Sequence, residues 1–168
     1  MPSRIEIREE DITKLSVDAI VNAAHPSLLP ATELEKQLHE VAGPKLAEEC
    51  QLVAPCLVGE ARITRAYNLP ANFVIHTAGP AWGGGEANED DYLKNCFEFV
   101  KSYHIETIAF PTISAGENGF PEARAALIAM TEIINHLKTD QKLKSVILAC
   151  TTEQEVWDYE TAFDKLTG

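Results

Sequence analysis

The 168-residue sequence has little positive charge, no long apolar run and no CxxC-spaced cysteines. Lys and Arg number 14 against 26 Asp and Glu, giving a formal net charge of −12 and a pI near 4.8. A phosphate backbone needs a basic surface, so nucleic acid is excluded as a main partner, and an anionic membrane face with it. A local anion site made of backbone N–H groups needs no lysine and stays compatible with this charge. No stretch reaches the roughly 18 apolar residues of a membrane-spanning helix. The N-terminus, MPSRIEIREED, is polar and acidic and lacks the apolar core of a signal peptide. Cys50, Cys56, Cys96 and Cys150 show no CxxC spacing and no neighbouring histidine that would suggest a zinc site. Free thiols in a cytoplasmic protein are the expectation, with no metal and no resident cofactor. No repeat or low-complexity linker divides the chain, so residues 1–168 are expected to form one domain.

Hydrophobic residues make up 45% of the chain, enough for a core. Ile5 and Ile7 alternate with Glu6 and Arg8, as in a half-exposed strand. Asp11 then stands where it would cap a helical turn over Ile12 to Leu15. The apolar return at Val17 to Val21 gives a short buried strand, Ala19 to Asn22, that ends in an amide. Leu34, Leu38 and Val41 fall on one helical face, and Gly43-Pro44 stops that helix. Leu46 to Val53 reads as a second short helix. Ala61 to Ala66 and Phe73 to Ala78 read as strands, and Gly79 to Asp91 as a glycine-rich acidic surface loop. Tyr92 to Tyr103 is predicted helical and Thr107 to Phe110 a strand. A helix beginning after Pro121 runs to about Lys138, a strand covers Ser145 to Cys150, and Glu153 to Leu166 forms a terminal helix. About six strands alternating with about five helices predict a three-layer α/β/α sandwich around a mixed, mostly parallel sheet.

Chemistry gathers at two turns. Asn22 and His25 follow the strand that ends near residue 22, and the carboxyl ends of strands are where open α/β sheets hold ligands. Ser114, Gly116 and Gly119 lie between a strand and the start of a helix, a setting for an anion cradle of backbone N–H groups. His76, inside a strand, reads as a hydrogen-bonded core histidine. Thr32-Glu33-Leu34-Glu35 has the T-x-x-E spacing of a capping box, in which Glu35 folds back to the Thr32 backbone.

Several segments in order resemble the macrodomain family, specifically its MacroD-type branch: Asp11-Ile12-Thr13, VDAIVNAA at 17–24, LPANFVIHTAGP at 69–80 and FPTISAGENGFP at 110–121. HEVAGP at His39 and GEARIT at Gly59 add to the likeness. The resemblance implies an ADP-ribose pocket and, in many relatives, hydrolysis of the ester joining ADP-ribose to a protein carboxylate, or deacetylation of O-acetyl-ADP-ribose. It implies that Asp11 accepts from the adenine amino group beside Ile12, and that Asn22 is the first Asn of the family's NAAN. It also implies that Ser114, Ala115, Gly116, Glu117, Asn118 and Gly119 cradle the diphosphate, with Phe120 walling the cleft. The implied partners are ADP-ribose or a related adenine nucleotide, and an ADP-ribosylated protein.

This sequence departs from that pattern on the side where chemistry would occur. His25 replaces the family's last Asn of NAAN, which the resemblance implies helps place the terminal ribose, and Glu35 replaces the Asp implied to orient the attacking water. Pro30, Ala31, Thr32 and Glu33 stand in place of glycines whose bare backbone approaches phosphate. Ala115, Glu117 and Asn118 replace a Thr, an apolar residue and an aromatic. His25 and Glu35 are therefore the candidate catalytic groups. The expected activity is recognition with weak or absent hydrolysis. Its alternatives are an active hydrolase using His25 and Glu35, and an interaction scaffold that has lost nucleotide binding.

Overall fold

A computed structural model describes residues 4–78, 91–112 and 122–168. The strands are β1 (Ile5–Glu9), β2 (Val17–Ala23), β3 (Ala61–Arg65), β4 (Ala71–Thr77), β5 (Thr107–Phe110) and β6 (Ser145–Cys150). The helices are α1 (Glu33–Ala42), α2 (Pro44–Val53), α3 (Asp91–Ser102), α4 (Glu122–Thr139) and α5 (Glu153–Thr167). A short 3-10 turn, Ile12–Lys14, separates β1 from β2. The glycine-rich stretch at 79–90 lies outside the described residues, as do Ser114, Ala115, Gly116, Glu117, Asn118, Gly119 and Phe120.

The six strands form one sheet in the order β1-β6-β5-β2-β4-β3, and only the β3–β4 pairing is antiparallel. Alternation along β2 assigns its side chains to two layers. Ala19 and Val21 join the core made with α3, α4 and α5, while Ile20 joins the core made with α1 and α2. β5 and β6 divide the same way: Ile108, Val146 and Leu148 on one face, Ala109 and Ile147 on the other. This is the sandwich expected from the sequence. Asp18 sets the β2–β5 register, its Oδ2 accepting from the Glu106 and Thr107 amides at 2.9 and 3.1 Å.

Local chemistry explains the element ends. Gly43 ends α1 at φ +93°, a conformation open to glycine without strain, and Pro44 opens α2 where its missing N–H costs nothing. β4 begins at Ala71, two residues before the apolar run suggests, because antiparallel pairing with β3 continues through Arg65↔Phe73 and the Ala66 amide donates to the Asn72 carbonyl at 3.2 Å. All four cysteines are buried and free.

Candidate ligand-binding site

A cleft of about 400 Å³ opens at the carboxyl ends of β1, β5 and β6. Glu9, Glu10, Asp11 and Ile12 border it where β1 runs into the 3-10 turn. Pro111 and Thr112 follow β5, Ala149 to Thr151 end β6, and Leu34 and Gln37 face it from α1. The strand ends are tied together by the Glu10 amide, which donates to the Cys150 carbonyl at 3.0 Å. Among the described lining residues there are several carboxylates and no Lys or Arg. Such a lining suits a neutral group that donates hydrogen bonds and opposes a phosphate.

Asp11 is built into this cleft by its own turn. Its Oδ1 accepts from the Thr13 amide at 3.0 Å and the Thr13 hydroxyl at 2.7 Å, which makes it the cap of the 3-10 turn. Its Oδ2 accepts from Gln37 Nε2 at 2.9 Å. The Thr13 hydroxyl above all holds the Asp11 carboxyl below its usual range, so the group is anionic and only accepts. The capping and ligand roles weighed from the sequence are compatible in this geometry, because Oδ2 keeps lone-pair capacity toward the cleft. Cys150 also borders the cleft, but burial first, then Glu155 and Glu9, push its thiol up to about 12. It is a neutral thiol at physiological pH and no nucleophile.

Asn22 and His76 lie away from the cleft lining. They are opposite each other in the β2–β4 register, on the layer that faces α1 and α2. The Asn22 amide nitrogen pairs with His76 Nδ1 at 3.1 Å, and His76 Nε2 pairs with the Thr64 hydroxyl at 2.9 Å. The Thr64 hydroxyl donates to the Arg65 carbonyl at 3.1 Å, so Nε2 carries the ring proton and donates to Thr64. Burial drives His76 down to about 3. The ring is a neutral structural link, as the core-histidine reading expects.

His25 and Glu35 meet, but through the backbone. Glu35 is 1% exposed. Its Oε1 accepts from the Thr32 amide and its Oε2 from the His25 amide, both at 3.2 Å, while the Glu35 amide donates to the Thr32 hydroxyl at 3.1 Å. The capping box read from T-x-x-E is therefore present, and the same carboxylate also clasps the far end of the loop that leads into α1. The His25 ring is exposed, and its Nδ1 accepts from the Ser27 amide at 3.1 Å. The neutral ring then carries its proton on Nε2, which has no partner among the described residues. The loop is closed by Leu28, whose amide donates to the His25 carbonyl at 2.8 Å. Leu28 sits at φ +61° with its side chain 3% exposed. Burying that side chain offsets a left-handed backbone that a leucine otherwise avoids.

Sequence reasoning missed Gln37. The only available signal was its position three residues after Leu34, on the same side of α1.

Comparison with known proteins places this geometry. The Macro domain family matches residues 21–129. A macro domain-containing protein of Methanosarcina mazei is 44% identical over 167 residues, covering 97% of this chain and 89% of the relative. The O-acetyl-ADP-ribose deacetylase of Escherichia coli is 40% identical, with 95% of each chain covered. The solved Oceanobacillus iheyensis macrodomain with ADP superimposes with a TM-score of 0.91 at 33% identity, covering 96% of this chain and 90% of that one. With the family matched across most of the sequence and the sandwich superimposing almost throughout, this chain belongs to the macro domain family.

Proposed function

We propose that this chain recognises ADP-ribose or a related adenine nucleotide, with weak or absent hydrolysis. The observation that carries the reading is the different state of two carboxylates. Asp11 lines the cleft with acceptor capacity left over. Glu35 is buried with both oxygens on backbone amides. In this reading the adenine amino group donates to Asp11 Oδ2 beside Ile12, and the diphosphate leads away from the acidic lining. Glu35 is buried away from the cleft lining with an amide on each oxygen, so it presents no open lone pair there to orient a water, and a displacement of about 1 Å costs roughly a hundredfold in rate. The relative named O-acetyl-ADP-ribose deacetylase and the neighbour solved with ADP support an adenine nucleotide as ligand.

Calorimetric titration with ADP-ribose, AMP and adenosine tests recognition. Heat is expected with all three, strongest for ADP-ribose, with a melting temperature that rises as ligand is added. No heat from any of them, with folded protein, overturns the reading.

A second reading, hydrolysis aided by His25, is favoured by one observation. Its exposed Nε2–H is a free donor that a leaving oxygen can accept from. Release of ADP-ribose from a glutamate-linked modified protein, or acetate from O-acetyl-ADP-ribose, separates the two. Turnover that His25→Ala abolishes favours the hydrolase.

A further inference from the structure

One polar side chain in the cleft has no part in the reading above: Gln37, on the second turn of α1. Its Nε2 reaches Asp11 Oδ2 at 2.9 Å, a contact between residues 26 apart in sequence. A carboxylate only accepts, so the amide must present its NH2 group and not its carbonyl to Asp11. That NH2 group carries two hydrogens. One is held by Asp11, and the other has no partner among the described residues. The cleft therefore offers an acceptor and a donor side by side, next to the apolar surfaces of Ile12 and Leu34.

Adenine has the matching edge. Its exocyclic amino group donates, and the ring nitrogens flanking it, N1 and N7, accept. We propose that Gln37 is a specificity-determining residue that reads adenine jointly with Asp11. Asp11 takes a hydrogen from the amino group, and Gln37 gives one to the adjacent ring nitrogen. This rests on the adenine-nucleotide reading above. Two bonds on one edge fix the direction in which the base lies, which a lone carboxylate does not. Gln37 itself is exposed on the helix, so its role is in the ligand's contacts and not in the core.

The test uses the whole chain, ADP, and the 1-deaza and 7-deaza analogues of ADP, each of which replaces one ring nitrogen with CH. Binding is measured by calorimetry for wild type and Gln37→Met, which keeps the side chain's length and removes its donor. Gln37→Met is expected to bind ADP about three- to tenfold more weakly, the worth of one neutral hydrogen bond. One of the two analogues is expected to bind wild type more weakly by a similar factor and to lose nothing further in the variant. This non-additivity is a signature that a merely structural role would not give. Unchanged or tighter ADP binding by Gln37→Met overturns the proposal, tighter binding meaning that Gln37 only occupies Asp11. Full penalties for both analogues in the variant also overturn it. If wild type shows no heat with ADP, the adenine reading fails and this inference with it. If wild type binds and the variant binds equally, the Gln37 assignment alone fails.

Discussion

Asp11 and Glu35 start from the same local device and end in opposite states. Each is an acidic residue engaged at the start of a helical turn, and each accepts from backbone amides. Asp11 has one oxygen on its own cap and the other at the surface of a cleft, bonded to an exposed amide side chain. Glu35 has one oxygen on the cap and the other on the His25 amide, ten residues back, beneath a loop that buries it. What separates a ligand acceptor from a structural clasp is where the second oxygen goes. Neither net charge nor capping decides it. The same division runs through the neighbouring polar groups. Asn22, Thr64 and His76 bond to one another inside the α1–α2 layer, whereas Gln37 keeps a donor for something outside the protein.

The sealed side is most sharply tested by acid. The folded His76 ring stays neutral until about pH 3, whereas the unfolded ring takes a proton below about 6.5. Between those values the unfolded state binds more protons, so stability falls as pH falls. The expected loss is about 1.4 kcal/mol per pH unit and several kcal/mol across the whole window. Urea midpoints at pH 7 and pH 5 for wild type and His76→Gln measure it. The variant should show a clearly shallower dependence, and equal slopes would mean that the ring is not the titrating element.

The open side is tested by Asp11→Ala. Loss of a charged acceptor should weaken ADP-ribose binding by about 10- to 100-fold, or about 1.5–3 kcal/mol. The cap goes too, at about 0.5–2 kcal/mol of stability. Asp11→Asn keeps the capping oxygen and should recover most of that stability without recovering the affinity. If the two variants lose affinity only in proportion to stability, Asp11 is a cap alone.

The comparison between these carboxylates was only partly legible in the chain. T-x-x-E announced the Glu35 cap, because that motif is local and its spacing is set by one helical turn. The clasp on His25 was not legible, since it requires the loop between them to close over Leu28 in a left-handed conformation that leucine does not advertise. Asn22 stood out as an amide at a strand end. Its partner followed only from the β2–β4 register, which sets Asn22 against His76. Gln37 was invisible because its contact forms only when α1 docks beside the 3-10 turn, and one exposed glutamine on an amphipathic helix carries no pattern of its own. The strands themselves were read closely. Period-2 apolar runs and Gly-Pro stops are local signals, and all six strands fall where the sequence places them, within about two residues.

Glu35→Gln isolates the clasp. One amide oxygen remains to accept, and an NH2 group now faces a backbone N–H, so one of two bonds is lost and a donor is left against a donor. Stability should fall by about 1–2 kcal/mol. ADP-ribose affinity should change by less than about threefold, because the variant site does not border the Asp11 cleft. A large affinity loss at unchanged stability would move Glu35 from clasp to ligand contact and erase its contrast with Asp11.

The smallest effect on folding is expected at His25, and it is also the most discriminating for the terminal ribose. The ring is exposed and, among the described residues, bonds to the Ser27 amide and hydroxyl within its own turn. His25→Ala should therefore change stability by about 0.5 kcal/mol or less. AMP ends before the terminal ribose, so its affinity should match wild type. ADP-ribose reaches further, and the loss of the Nε2–H donor should weaken it by about three- to tenfold. A variant that binds AMP and ADP-ribose both as wild type does would place His25 outside the pocket. Equal losses for both ligands would instead show that the 25–32 loop reaches the adenine end, and that the open and sealed sides are one site.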